Sequence, residues 1–130
     1  MKEFLLLTIT LLSCALPHSL MAQLDPTETD HLLWMREEEK LARDTYLTLH
    51  DTWGLNVFSN IAKSEQRHMD ALKTQLELFD LQDPVIDDSI GVFNDATLSG
   101  LYLDLSDRGS VSSLEALHVG AYIEELDIAD

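Results

Sequence analysis

A chain of 130 residues with 24 acids, 8 bases and a net charge of −16 is too acidic to hold nucleic acid or anionic lipid through its general field. Its single cysteine, Cys14, provides no disulfide framework. A domain this small must then be held together by its core, a metal or a partner.

In chain order, Lys2 precedes an apolar run from Phe4 to Leu16, Pro17 breaks the run, and the small residue Ala22 precedes Gln23. That layout predicts a secretory signal peptide over 1–22, its apolar stretch too short to span a bilayer. The product is then exported, periplasmic or extracellular. Leu11-Leu12-Ser13-Cys14 offers a second reading, a lipoprotein cleavage site that would leave Cys14 as a lipid-anchored N-terminus. Lys2 and Glu3 leave together, so the domain at 23–130 keeps the whole charge of −16.

The domain reads as helices throughout, with no sustained alternation and no Asn-Gly hairpin turn. Pro26 opens the first helix, whose apolar face runs Leu32, Met35, Ala42, Tyr46, Leu49, Trp53, and Gly54 ends it. A second helix starts near 56–59 and continues to about Leu81, with Pro84 beyond it. Residues 83–93 form an acidic loop. A short helix follows, capped by Asn94, carrying Leu98, Leu101, Tyr102 and Leu105 and stopping at Gly109. Ser112 or Ser113 caps a last helix whose expected inner face is Leu114, Leu117, Ala121 and Ile128. The chain closes in mid-helix at Ile128-Ala129-Asp130, which predicts further helix and an exposed bundle face suited to self-association.

Three apolar stripes are interrupted by carboxylates. Glu39 fills the vacant step between Met35 and Ala42, with Glu37 and Glu38 rotated off that face. Glu65 and His68 sit together on the stripe Phe58, Ile61, Ala62, Met69, Leu72, Leu76, Phe79. Glu124 fills the step between Ala121 and Ile128. Buried carboxylates are costly unless paired or bound to metal, and an inward Glu-x-x-His pair is the set that di-iron bundles take from one helix. Mixed carboxylate and imidazole ligands suit iron or manganese. Against this, Arg36, Arg43 and Arg67 can neutralise the acids as ion pairs, giving a non-enzymatic helical binding module with a salt-bridged core. Glu115-x-x-His118 has the same spacing but lies beside the last helix's expected inner face and reads as a surface pair.

The stretches MREEEKLARDTYLTLHDTWGLNVFSNIAKSEQRHMDAL, GVFNDATLSGLYLDLSDRGSVSSLEAL and HVGAYIEELDIAD closely resemble an uncharacterised ferritin-like family, domain of unknown function 2202. The resemblance covers residues 30 to 130. It implies an all-α, ferritin-like antiparallel helical bundle related to the rubrerythrin-like proteins, apparently truncated before a last helix that carries a histidine motif. It also implies the metal ligands Glu39 (with the Ala42, Arg43 and Tyr46 spacing), Glu65, His68 and Glu124, the last four residues after Gly120. Glu125 and Asp127 are nearby alternates, and Tyr46 could modulate the site. The implied chemistry is reduction of peroxide, or oxidation and handling of iron, at a di-iron or manganese centre. With no Cys-x-x-Cys in the chain, an enzyme of this kind needs a separate electron donor.

Overall fold

The computed structural model describes residues 23–129, with side chains through Leu126. The expected leader at 1–22, Cys14 within it, and the side chains of Asp127 and Ile128 lie outside the described residues. Among the described residues there are four helices and no strand: α1 (Pro26–Trp53), α2 (Asn56–Leu78), α3 (Ala96–Gly109) and α4 (Ser113–Ala129). None is long and apolar enough to cross a membrane.

The capping chemistry explains where α1 begins and ends. Glu28 N–H donates to the Asp25 carboxylate at 2.9 Å and Asp25 N–H to the Glu28 carboxylate at 2.8 Å, a reciprocal box followed by Pro26 at the first helical position. At the other end Gly54 takes a left-handed φ of 66° and donates its N–H to the His50 carbonyl at 2.7 Å. With 28 residues, α1 is about 42 Å long. Only Gly54 and Leu55 separate it from α2, so the two helices form a tight antiparallel hairpin.

The helix α1 is the hub of the bundle, with α2, α3 and α4 all packed against it. Tyr46, Leu49, Phe58, Leu98, Leu105, Ala116, Val119 and Ile123 form the shared core. At the far end the Trp53 indole N–H donates to the Gly109 carbonyl at 2.8 Å, tying the close of α1 to the close of α3.

The segment 79–95 crosses a polar face of α1 and is clamped there. Arg36 pairs with Asp83 at 3.0 Å, Arg43 with Asp88 at 2.8 Å, and the Lys40 ammonium donates to the Ser89 carbonyl at 2.8 Å. Gly91 N–H donates to the Asp44 carboxylate at 3.0 Å, and Asn94 N–H donates to the Glu37 carboxylate at 2.6 Å. Lys40 and Asp44, paired with each other, are both fully buried. The acidic loop expected at 83–93 therefore covers the basic residues of α1.

Four expectations need correction. Met35 is 40% exposed rather than part of the inner face of α1. Glu37, expected off the buried face, is buried under the loop instead. Asp95, not Asn94, caps α3, its carboxylate accepting from Thr97 N–H at 2.7 Å and Leu98 N–H at 3.1 Å. On α4 the expected inner residues face outward: Leu114 is 59% and Leu117 46% exposed, and Ala121 is exposed too. The face that packs is Ala116, Val119, Gly120 and Ile123, about 200° round the helix from Leu114 and its row. Both faces are apolar, and the smaller residues win because they let α4 approach the core closely. Ser112, one of the two expected caps, accepts from Glu115 N–H at 3.1 Å.

Candidate metal centre

The hairpin brings Glu39 of α1 against Glu65 and His68 of α2. One ligand atom from each lies within 4.8 Å of the other two. His68 Nδ1 stands 3.2 Å from Glu39 Oε2 and 3.0 Å from Glu65 Oε2. Both carboxylates are buried, because each continues a buried row: Glu39 leads to Ala42 and Tyr46, and Glu65 lies between Ala62 and Met69. Ala42 and Ala62, one turn from the acids and both buried, leave space for the head groups between the helices.

His68 differs from this expectation of burial. Its side chain is 50% exposed, so the imidazole sits at the rim and closes the pair from outside. An open groove between α2 and α4 reaches that rim, lined by Val57, Asn60, Ile61, Ser64, Glu65, Arg67 and His68, with Glu124 on the α4 side. The groove walls have a signal in the sequence, where polar and apolar residues repeat at helical spacing on α2. Val57, Ile61 and Glu65 form one row at four-residue steps, and Asn60, Ser64 and His68 form the next.

Glu124 stands apart from the trio. It is exposed, a consequence of the rotated α4, and its Oε1 accepts from the Tyr46 hydroxyl at 2.6 Å. Tyr46 is wholly buried, stacks on Phe58 at 6.1 Å between ring centres, and lies 3.0 Å from the Gly120 carbonyl. A Cβ at Gly120 would come within 3.3 Å of the tyrosine ring, so the glycine sets how closely α4 approaches it. Glu125 is exposed, and the side chain of Asp127 is outside the described residues.

The arginines take other partners. Arg36 and Arg43 are committed to the loop, and Arg67 is exposed, donating to Ser64 at 3.2 Å. Burial pulls the Arg43 guanidinium down, but its hydrogen bonds to Asp88 and Asp44, with their charges, outweigh this and hold it above its ordinary value. Glu115 and His118 form the exposed pair expected of them, at 3.4 Å.

Two anionic oxygens and an imidazole nitrogen facing one point are a fitting donor set for a divalent cation of the iron or manganese type. The groove leaves one side of that point open. The molecule is thus an all-α bundle whose first helical hairpin carries a carboxylate–histidine cluster. It belongs to the family described as Uncharacterized protein domain (DUF2202), whose model matches residues 28–130. It is 56% identical over 103 residues to the uncharacterized protein MJ0754 of Methanocaldococcus jannaschii, an alignment covering 79% of this chain and 56% of that protein. The crystal structure of that hypothetical protein superposes with a TM-score of 0.81 at 54% identity, over 82% of this chain and 61% of that one. The chain thus spans less than two thirds of the relative's length.

Proposed function

We propose that this is a ferritin-like protein in which Glu39, Glu65 and His68 hold iron or manganese and Glu124 serves a second ion across the groove. The observation that carries the reading is the convergence of three ligand atoms within 4.8 Å, two of them on buried carboxylates. Two acids placed this deep repel each other and lose hydration unless a cation stands between them. A bound metal pair would supply or accept the electrons needed to reduce peroxide or oxidise ferrous iron. The chain's own part is to hold the ions on a rigid hairpin, keep one side open to a small oxidant through the groove, and exclude bulk water from the carboxylate side. Peroxide reduction would draw its electrons from a separate donor protein, and a leader at 1–22 would carry the protein out of the cytoplasm.

Metal analysis after native purification tests this. With Mn²⁺ at a hundred times its dissociation constant, binding stabilises the fold by about 2.7 kcal/mol. For a domain of this size that is a rise in melting temperature of roughly 10 °C. The double variant Glu65→Ala with His68→Ala should lose both metal and rise. Metal content near zero, with a melting temperature indifferent to chelator, would sink the reading.

A second reading has its own support. The His68 imidazole lies within hydrogen-bond reach of both carboxylates. Protonated, it would be the cation that closes the cluster, making the centre a structural ion triad in a binding module. The same chelator experiment separates the two.

A further inference from the structure

Among the described residues the single hydroxyl hydrogen of Tyr46 has two acceptors in reach, the Glu124 carboxylate at 2.6 Å and the Gly120 carbonyl at 3.0 Å. The bond to the carboxylate is shorter and charge-assisted, so it takes the hydrogen. Glu124 lines the same groove as Glu65 and His68 but stands outside the three-ligand cluster. We infer that Tyr46 is a latch on Glu124: it parks this carboxylate on α4, so a first cation binds to Glu39, Glu65 and His68 alone, and a second must draw Glu124 off the phenol. The inference rests on the metal reading above.

The second acceptor makes the latch reversible. A buried hydroxyl left without a partner is costly, and that cost would lock Glu124 in place. Here the Gly120 carbonyl takes the hydrogen when the carboxylate leaves, so release exchanges a charge-assisted bond for a neutral one, about half as strong. Glu124 is exposed and free to swing, whereas Tyr46 is held by the core and stacked on Phe58. The moving part is therefore the glutamate. The two ions load in sequence, the second more weakly than its ligands alone would give. Tyr46 acts as a positioning residue and does not itself touch the cation.

The opposite role for the same bond is that Tyr46 holds one oxygen of Glu124 so that the other is aimed at a cation. The two differ in sign. Titration of the full chain with Mn²⁺ alone, followed by calorimetry, should resolve two steps. In Tyr46→Phe the first step should be unchanged and the second about tenfold tighter, which corresponds to about 1.4 kcal/mol. In Glu124→Gln the first step should remain and the second disappear. A second step that is unchanged or weaker in Tyr46→Phe overturns the latch, as does a second step that survives in Glu124→Gln. A single wild-type step that Glu124→Gln leaves untouched overturns it as well. Should Tyr46→Phe fold poorly, Glu124→Gln, which alters an exposed residue, can still overturn the latch through a second step that survives. Absence of any binding by the wild type defeats the metal reading itself and the latch with it, a pattern distinct from an intact first step with an unaltered second.

Discussion

Glu37, Glu38 and Glu39 are consecutive and chemically the same at the sequence level, yet they meet different surroundings. At 100° per residue, Glu37 and Glu39 lie about 200° apart on α1. One faces the 79–95 segment and the other faces α2. Glu37 accepts from the N–H groups of Asn94 and Asp95 at the entry to α3, where a negative charge is favoured by the helix's own free N–H groups. Replacing it with alanine strands those donors in part and should cost about 1–2 kcal/mol, read as a lower urea midpoint with an unchanged slope. The sequence made Glu39 recognisable because its row is otherwise apolar. It could not reveal Glu37, because a residue on a polar face carries no mark of being roofed over by a distant loop. Glu65 was legible for the same reason as Glu39. The half-exposed position of His68 was not, since periodicity places a side chain on a face without saying where the neighbouring helix stops.

At the scale of elements, the ends of α1 were readable from Pro26 and Gly54 because each has a backbone consequence that composition alone dictates. The inward face of α4 was not, because Leu114 and Leu117 on one side and Val119 and Ile123 on the other give a helix apolar nearly all round. The structure predicts opposite responses on the two sides. Ile123→Ala should cost about 2–4 kcal/mol, whereas Leu117→Ala should stay within about 0.5 kcal/mol; thermal melts of the two compare them directly. The clamp on 79–95 makes a further prediction. Asp44→Ala leaves the fully buried Lys40 ammonium without its carboxylate, which should cost roughly 3–5 kcal/mol. The outer pair is gentler. The hydrogen bond from Arg43 holds the Asp88 carboxyl below its ordinary 3.8, against a smaller effect of burial, with the charges of Arg43, Lys40 and Arg36 adding to it. A carboxyl depressed in the folded state stabilises it above pH 3.8, and that contribution is lost as pH falls through the folded value. Asp88 is largely exposed, so the contribution is below about 1 kcal/mol. Protection of the 83–93 amides, taken relative to their intrinsic exchange rate at each pH, should therefore fall on acidification below about pH 3.8 before that of α1 and α2 does.

At the scale of the whole molecule, the all-α class and the hairpin that carries the cluster followed from periodicity, since helix-spaced apolar rows leave few other arrangements. What periodicity could not supply was the partnering of charges across long sequence separations. Arg36 meets Asp83 and Arg43 meets Asp88 from more than forty residues away. That partnering has an outcome for how the protein meets small ions in solution. Of the 8 basic residues, Arg36, Lys40 and Arg43 are withdrawn beneath the 79–95 segment. Among the described residues the bases left in contact with solvent are Lys63, Arg67 and Lys73 on α2 and Arg108 on α3. Four acids of the described residues, Glu37, Glu39, Asp44 and Glu65, are buried as well. The solvent therefore meets a surface whose net charge stays close to the sequence total, with few bases to interrupt it. Such a surface gathers a counter-ion atmosphere that thins as the Debye length shortens, from about 30 Å at 0.01 M salt to about 8 Å at 0.15 M. Divalent cations should reach the groove fastest in dilute salt, and stopped-flow capture of Mn²⁺ should slow steadily as sodium chloride is raised.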